Sequence, residues 1–347
     1  MSTQDRGLAV VGAVVAVVLL CACSGTNAQM PEAPAQHTTA SERHNALGSE
    51  QVFDFLAARY RALYRIRGLN RVRNHISARL TDEAKAKGLV FVADNAKNSV
   101  DVFAKGRLGE PLGSITDSVS SPDGLAVDGA ANLYVANLGN NTVTVYEPPY
   151  MKSPATTYSN GISLPVWVAV GPDGTVYVSS FSGRTVVEYP KGKTKPSLSI
   201  ALPGNGEGVA IDSSNNLYAA YYNENAPGSG VLEFAPGATN GTNLGIPVEF
   251  PGGLTLDRKG DLLVVDQATL TVQVYAPGAT TSFQTIDNGF LDPFSIAFDA
   301  QRRHLFVSDA AVQDVQDIGY PNGTTIFTMS GFSQVLGVAL SPTTSPK

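Results

Sequence analysis

Short apolar strands separated by polar turns recur six times along the later part of this chain. Each recurrence is an apolar run, a turn rich in Asn, Asp and Gly, and a second run in which polar and apolar residues alternate. The second residues of the six apolar runs, spaced by 43, 43, 41, 45 and 43 positions, are Phe91, Tyr134, Tyr177, Tyr218, Leu263 and Phe306. A period of about 40–45 residues built from short strands is typical of one β-propeller blade per repeat. The pattern predicts an all-β fold, a six-bladed propeller, over residues 88–347.

Each repeat predicts four strands, and the second repeat shows them most clearly. Its strands are expected at residues 125–127, 132–136, 142–146 and near 156–158, with Pro122-Asp123-Gly124 leading into the first. The inner strands are apolar on both faces, which suits sheets packed between two neighbours. An acidic residue recurs in the turn between the first two strands, where Asp can bond its own backbone. We therefore expect a structural role for these turn residues, which are Asp128, Asp173, Asp212, Asp257 and Asp299.

The two ends of the repeat region are complementary. The first repeat begins at Gly88 without a leading strand, and residues 334–341 form a leading strand with no repeat after it. Placing this C-terminal strand in the first blade completes the sixth sheet and removes two open sheet edges. We expect the ring to close in this way.

The N-terminal residues predict export. A weakly basic start with Arg6 precedes an apolar run from Leu8 to Leu20, which has the length of a signal-peptide core and is short for a membrane span. The sequence LCACS at the end of this run resembles a bacterial lipobox. The resemblance implies a lipoprotein signal peptide over residues 1–22 and lipidation of Cys23 as the mature N-terminus.

The fate of this N-terminus has alternatives. Lipidation would tether the protein to a membrane of the bacterial cell envelope, and Ser24 after the cysteine favours the outer membrane where a source has two. Cleavage after Ala28 would instead release a secreted protein, and an uncleaved anchor helix is a third outcome. Both cysteines of the chain lie here, at Cys21 and Cys23, so the propeller is expected to have no disulfide or thiol chemistry.

Two segments separate the signal from the repeats. Residues 23–48 are rich in Ser, Thr, Ala, Gln and Pro, which predicts a flexible tether. Residues 49–87 carry nine basic and four acidic side chains, whereas residues 88–347 carry 13 basic and 23 acidic ones. The basic segment is predicted to be helical over residues 50–67, because apolar residues recur there at helical spacing. These are Val52, Phe53, Leu56, Tyr60, Leu63 and Tyr64.

The basic segment has two interpretations. It packs on the propeller, with its arginines solvated or paired with the acidic domain, or it lies along an anionic membrane surface beside the lipid anchor. Nucleic acid is not an expected partner, since the folded domain is acidic and the basic segment would sit outside the cytoplasm.

Catalytic side chains are scarce in this sequence. The four histidines are His37, His44, His75 and His304, and none recurs near a strand start. A histidine zinc site or a Ser–His–Asp arrangement is therefore poorly supported. No phosphate-binding glycine loop and no CxxC metal motif is present.

The repeat resembles two related groups of six-bladed propellers, the NHL-repeat proteins and the gluconolactonase (senescence-marker) family. The segments that carry the resemblance are PDGLAVDGAANLYVAN at 122–137, GEGVAIDSSNNLYAA at 206–220 and PGGLTLDRKGDLLVVD at 251–266. The resemblance implies a divalent cation held in the central tunnel by residues at the starts of the innermost strands, and used in lactone hydrolysis. The family's Asp in a PDG motif corresponds to Asp123.

The other repeats do not supply a full set of ligands. The positions equivalent to Asp123 are Val166, Glu207, Gly252, Phe294 and Leu336, so only two of the six carry a carboxylate. A hard cation usually takes six or more oxygen ligands. Asp123 and Glu207 are thus candidates either for a calcium or magnesium site or for tunnel polar groups bound to water.

The fourth repeat departs most from the pattern, because its repeated phrase is four residues longer. Tyr221, Tyr222, Asn223 and Glu224 fall in this longer stretch and predict a ligand-binding rim, since Tyr offers both an apolar face and a hydroxyl. An inert insertion is the alternative. Trp167, the only tryptophan, falls at an inner-strand start, where it would pack in the tunnel or stack on a ligand.

Three functions are consistent with these features. The first is a tethered, monomeric binding or scaffold module for a protein, peptide or glycan. The second is a divalent-metal-dependent lactonase-type hydrolase with its site in the tunnel at Asp123 and Glu207. The third is a structural cell-envelope protein. The scarcity of histidines and the incomplete ligand set favour binding over catalysis.

Overall fold

The computed structural model describes residues 75–76, 88–223 and 228–342, and it confirms the six-bladed propeller. In these ranges, 25 strands form six antiparallel sheets, and the only helical element is a 3-10 turn at Leu138–Asn140. Each sheet is one blade. The predicted signal peptide, the tether, Cys23 and Glu224 lie outside the described residues.

The blades follow one another around the ring in chain order, and within each blade the strands run from the central channel outward to the rim. Blade 1 consists of β25 (Val335–Leu340), β2 (Leu89–Asp94), β3 (Ser99–Ala104), β4 (Gly113–Ile115) and β1 (His75–Ile76). Blade 2 consists of β5 (Pro122–Val127), β6 (Leu133–Asn137), β7 (Thr142–Tyr146) and β8 (Thr156–Tyr158). Blade 3 consists of β9 (Pro165–Val170), β10 (Val176–Ser180), β11 (Thr185–Tyr189) and β12 (Leu198–Ala201).

The remaining blades have the same order of strands. Blade 4 consists of β13 (Asn205–Ile211), β14 (Leu217–Tyr222), β15 (Gly230–Phe234) and β16 (Thr242–Asn243). Blade 5 consists of β17 (Pro251–Leu256), β18 (Leu262–Asp266), β19 (Thr271–Tyr275) and β20 (Gln284–Ile286). Blade 6 consists of β21 (Pro293–Phe298), β22 (His304–Asp309), β23 (Asp314–Gly319) and β24 (Thr324–Met329).

The ring closes as the sequence predicts, with the C-terminal strand as the inner strand of blade 1. β25 pairs antiparallel with β2, so that Leu340 lies opposite Val90. Beyond the strands, the Ser341 N–H donates to the Leu89 carbonyl oxygen at 2.9 Å, and the Leu89 N–H donates to Ser341 Oγ at 2.8 Å. Both ends of the repeat region are therefore fixed in one sheet.

Blade 1 also gains a fifth strand from the segment before the repeats. In β1, His75 lies opposite Ser114 and Ile76 opposite Gly113 of β4. These two residues are the described part of the predicted basic helical segment, and they form a strand. The predicted helix over residues 50–67 lies outside the described residues and stays a prediction.

Strand directions define two faces of the ring. We call the face at which the inner strands begin the upper face, and the face at which they end the lower face. Because the strands of each blade alternate in direction, β4 runs towards the upper face and β1 runs away from it. The chain therefore enters β1 from the upper face, at the outer rim of blade 1.

The core is divided among the interfaces between blades, as the two-sided apolar strands predict. In β2, Phe91 packs towards Leu133 and Val135 of blade 2. Val90, one residue earlier, packs towards Phe306 of blade 6. Successive side chains of a strand point to opposite faces, so one strand contributes to two clusters. Full burial of such a side chain stabilises the fold by about 1.5–3 kcal/mol.

The recurrent aspartates have the turn role expected from the sequence. Asp128 Oδ1 accepts the N–H groups of Ala130 and Asn132 at 2.9 and 2.8 Å. Asp212 makes the equivalent pair of bonds to Ser214 and Asn216, both at 2.8 Å. These carboxylates hold the turns between the first and second strands at the lower face.

Candidate functional site

An apolar plug closes the upper end of the central channel. The rings of Trp167 in blade 3 and Phe294 in blade 6 are 5.2 Å apart. A Cβ added to Gly253 of blade 5 would lie 3.0 Å from Trp167 Cζ2, so the indole reaches across the channel past blade 4. Val166 and Leu336 are fully buried in the same cluster. The inner-strand starts thus meet as a hydrophobic core.

Close approach of the backbone tightens this end of the ring. A Cβ added to Gly337 would lie 2.1 Å from the carbonyl oxygen of Asp123. One blade further on, a Cβ on Gly124 would lie 2.5 Å from the carbonyl oxygen of Val166. Real Cβ atoms do not approach backbone oxygens so closely, so glycine is required where neighbouring inner strands meet.

The two candidate metal ligands lie at this closed end. Asp123 is at the start of β5 and Glu207 is near the start of β13, and both side chains are 0% exposed. Within the described residues, no group of three His, Cys, Asp or Glu side chains is placed to hold a metal ion. Binding of calcium or magnesium by Asp123 and Glu207 stays a prediction.

The lower half of the channel is open. It forms a cavity of about 410 Å³ lined by the ends of all six inner strands. Val168 and Leu254 are among the side chains of its walls, and its mouth carries Asp299 and Arg302. Asp299 is paired with Lys105 of blade 1. Asp123 and Glu207 are not among the residues that line this cavity.

A larger cavity, of about 910 Å³, lies between blades 4 and 5. We call it the blade 4–5 groove. Its lining comes from the upper turn of blade 4, the connection 243–249 and the outer half of blade 5. The described lining residues are Tyr222, Asn223, Gly228, Ser229, Asn243, Gly245, Ile246, Pro247, Val248, Glu249, Asp266, Thr269, Gln273, Tyr275, Thr280, Thr281 and Ser282.

The groove arises because the outer strand of blade 4 is short. β16 has two residues, whereas the equivalent β12 has four and β24 has six. The chain after β16 therefore leaves the blade early and crosses to blade 5, where Ile246 and Val248 are buried against β17 and β18. This crossing forms one wall, and the face of blade 5 forms the other.

Local contacts hold the blade 4 wall in place. The rings of Tyr222 and Phe250 are 4.5 Å apart. The Asn223 N–H donates to Ser229 Oγ at 3.1 Å, and the Ser229 hydroxyl donates to the carbonyl oxygen of Glu249 at 2.7 Å. The upper turn of blade 4 is thereby joined to the crossing segment on both sides of residues 224–227.

The groove is acidic and rich in neutral hydrogen-bonding groups. Its charged side chains among the described lining residues are Glu249 and Asp266, with no Lys or Arg. Burial raises the pKa of Asp266 to about 6, although its Oδ1 accepts the N–H groups of Phe250 and Ala268, both at 3.2 Å. Burial, with the nearby Asp266 charge, also raises the pKa of Tyr275 to about 12. A cation or an uncharged hydroxyl-rich ligand suits this lining better than an anion.

The predicted rim residues are divided between the groove and the interior. Tyr222 and Asn223 line the groove, and their role in ligand binding stays a prediction. Tyr221 and Trp167 are 2% and 4% exposed and belong to the central apolar cluster, where they have no surface for a ligand. Glu224 lies outside the described residues.

Sequence reasoning missed the blade 5 side of the groove. Asp266, Gln273 and Tyr275 follow the regular repeat pattern, so nothing in their own segment distinguishes them. The available signal was the stretch after residue 243, in which Ile246 and Val248 are apolar although they lie in a connection between two blades. An apolar connection between blades must lie against another surface.

Comparison with known proteins supports the fold alone. No family model matches this sequence, and no curated protein matches it. A solved chain from the crystal structure of a nidogen/laminin complex is similar, with a TM-score of 0.62 and 16% sequence identity. The match covers 75% of this chain and 99% of that chain. Membership of the NHL-repeat or gluconolactonase groups therefore stays a prediction. In the ranges that the structure describes, no helix is long and apolar enough to cross a membrane.

Proposed function

We propose that this protein is a binding module that holds a segment of a protein partner in the blade 4–5 groove. The groove itself carries the proposal, because it is the point at which the regular repeat is altered to open a large concavity lined by both polar and apolar side chains. The similar solved chain was crystallised within a nidogen/laminin complex, which supports a protein partner for a propeller of this shape.

The lining of the groove indicates the chemistry of the segment that binds. Tyr222 offers a ring face, and Asn223 and Gln273 offer amides that can bond a peptide backbone. Glu249 and Asp266 favour Lys or Arg over Asp or Glu in the ligand. A polar segment with a basic residue is therefore the expected ligand.

Tethering completes the proposal. Lipidation at Cys23 would fix the module to the cell envelope, and residues 23–48 would allow an r.m.s. reach of roughly 25–30 Å. A monomer suffices, because each ring carries one complete groove. In this arrangement the module holds its partner near the membrane without chemistry of its own.

The test is a binding assay with a steric block. Fluorescently labelled Ser/Gly peptides that contain either Lys or Glu, and labelled oligosaccharides, are titrated with the full chain in detergent. Thr281→Trp fills the groove, and Thr194→Trp places the same bulk in the equivalent exposed loop of blade 3. We expect the Lys peptides to bind, and Thr281→Trp to weaken that binding about tenfold or more.

Three outcomes contradict the proposal. Equal weakening by Thr194→Trp would remove the groove as the site. Binding of oligosaccharides but of no peptide would replace the protein partner with a glycan. Absence of binding by every probe would contradict the preference for a basic polar segment.

A further inference from the structure

The path of the chain brings the basic segment to the upper face. The chain enters β1 from that face at the rim of blade 1. Blade 1 is packed against blade 6, with Val90 of β2 in one buried cluster with Phe306 and Val315. The residues that precede His75 therefore begin next to the upper surfaces of blades 1 and 6.

Blade 6 has an exposed apolar patch on this face. Leu291 and Val312 are 47% and 46% exposed. Both backbone N–H groups donate to the carboxylate of Asp309, at 2.7 and 3.4 Å, so the two residues are neighbours. Together with the exposed Ala311, they form what we call the upper patch. The corresponding turn of blade 3, by comparison, carries Ser182 and Gly183 at the positions of Ala311 and Val312.

An incompletely bonded carboxylate lies beside the upper patch. Asp314 follows Val312 by two residues at the start of β23, and its Oδ1 is buried without a hydrogen-bond partner among the described residues. Burial and the adjacent Asp309 raise the pKa of Asp314 to about 6. Lys97, the basic residue of the adjacent upper turn of blade 1, is paired with Asp94 at 2.7 Å. A cation from another segment would favour the charged form of Asp314.

The segment that precedes β1 has the complementary pattern. On a helix over residues 50–67, Leu63 and Tyr64 share a face with Arg67, which follows them by four and three positions. Such a helix is about 27 Å long. The seven residues 68–74 can span about 23–25 Å when extended. This is enough chain for the helix to reach across the adjacent blade.

Charge favours the same contact. The segment 49–87 has a balance of +5, from nine basic and four acidic residues. Residues 88–347 have a balance of −10, from 13 basic and 23 acidic ones. The attraction operates within one molecule, where the connection through residues 68–74 keeps the local concentration of the segment high.

We propose that residues 50–67 dock as an amphipathic helix on the upper patch, with Leu63 against Val312 and Leu291, and with Arg67 beside Asp314. The contact covers the patch and fixes the orientation of the ring relative to its tether. It is independent of ligand binding in the blade 4–5 groove, which lies on blades that the helix does not cover.

Cysteine cross-linking tests the contact directly. The full chain contains only Cys21 and Cys23, and replacing both by Ser gives a background without thiols. In that background, Leu63→Cys is combined with Val312→Cys or, as a matched control, with Ser182→Cys in the equivalent upper turn of blade 3. We expect a disulfide with Val312→Cys under mild oxidation and none with Ser182→Cys. Equal cross-linking at both sites, or none at Val312→Cys, overturns the proposal.

A charge exchange tests the polar part of the contact. Amide hydrogen exchange of residues 50–67 is measured in the full chain, with the melting transition as a check on the ring. We expect Arg67→Glu to speed exchange about tenfold, and Asp314→Lys added to it to restore slow exchange. Exchange that is unchanged by Arg67→Glu contradicts the pairing.

Measurements with lipid vesicles distinguish docking on the propeller from binding of residues 50–67 to an anionic membrane surface. The same measurement is repeated with phosphatidylglycerol and with phosphatidylcholine vesicles. We expect slow exchange of residues 50–67 without any vesicles. Protection that requires phosphatidylglycerol and is indifferent to Asp314→Lys would overturn the proposal and assign the segment to an anionic membrane surface.

Discussion

Blades 1 and 4 stand opposite each other in the ring and depart from the common blade in opposite ways. Blade 1 has five strands, because β25 joins it at the channel and β1 joins it at the rim. Blade 4 has the ordinary four, but its outer strand β16 is reduced to Thr242–Asn243. Blade 1 gains strands where the two ends of the repeat region are held. Blade 4 has a shortened outer strand where the blade 4–5 groove opens.

The difference teaches which parts of the repeat can vary. The inner strands pack on both faces and meet backbone to backbone at Gly337 and Gly124, so they have no freedom to change. The outer strands have little to bury: β8 and β20 each bury one residue of three. Function can therefore be added at the rim without disturbing the ring.

The largest effect is expected from removing the strand that closes blade 1. Deletion of residues 331–347 takes away β25, including Val335 and Val338, which are buried between blades 1 and 6. We expect loss of soluble, cooperative folding, measured by calorimetry. Deletion of residues 343–347 keeps β25 and should leave the melting transition unchanged.

A change in the outer strand of blade 4 is expected to have a much smaller effect than the deletion of β25 from blade 1. Replacing Thr242 and Asn243 by glycine weakens an outer strand that is fully exposed, so the loss should be about 1 kcal/mol or less. A loss comparable to that of the β25 deletion would show that the rim of blade 4 is as important to the ring as the channel strand of blade 1.

The next effect tests the contact between the inner strands of blades 1 and 2. Gly337→Ala would place a Cβ 2.1 Å from the Asp123 carbonyl oxygen and should destabilise the ring by about 1–3 kcal/mol in urea unfolding. Gly109→Ala is the control in the same blade, because an added Cβ there meets nothing within 4 Å. A similar midpoint for both variants would contradict the close approach.

A pH-dependent effect is expected at the groove, in the wall that faces blade 4. The pKa of Asp266 is raised by burial to about 6 from an ordinary value of 3.8, so the folded state binds this proton more tightly than the unfolded state does. The contribution of Asp266 to the free energy of unfolding is therefore most favourable below about pH 4 and is lost as the pH rises to about 6. Between these two pH values, the free energy of unfolding falls by at most about 3 kcal/mol through this group.

Asp266→Asn should remove this pH dependence while keeping the hydrogen bonds. Blade 2 shows that the amide suffices, since Asn137 Oδ1 accepts the Ser120 N–H at 3.0 Å in the equivalent position. Stability of both proteins is measured by urea unfolding between pH 4 and pH 7. Parallel curves for the two proteins would show that Asp266 does not titrate in this range.

The smallest effect is expected from divalent cations. Glu207 lies at the channel end of blade 4, so a metal there would give this blade a second site. We expect no heat of binding from calcium, magnesium or zinc in titration calorimetry, because Asp123 and Glu207 are enclosed by the apolar plug. Tight binding that is lost in Asp123→Ala would instead support the lactonase-type hydrolase.

Much of the ring was predictable because its information is local. The spacing from Phe91 to Phe306 gives the number of blades, and the unmatched strand before Ser341 gives the closure. The turn role of Asp128 follows from bonds to residues two and four positions away. Periodicity and turn chemistry are visible in one repeat at a time.

The site was less predictable because it depends on contacts between repeats. The Trp167 indole contacts Phe294 and approaches the backbone at Gly253, and both residues are far from it along the chain. The sequence around Trp167 does not indicate such a contact. The groove likewise joins Tyr222 of one repeat to Gln273 of the next. Irregularity in the fourth repeat indicated one wall but could not indicate what lay opposite.

The two-residue strand β1 has a mechanical consequence. A pull on the N-terminus that detaches residues 50–67 from the upper patch reaches β1 next, and this short strand can peel from β4 while β2 remains held between β3 and β25. Release of residues 75–87 would lengthen the tether by at most about 43–47 Å, the extended length of these residues, before any tension bears on the ring. Blade 1 thus contains an extensible link in series with the closed ring, and a partner held on the opposite side could be displaced without the ring being opened.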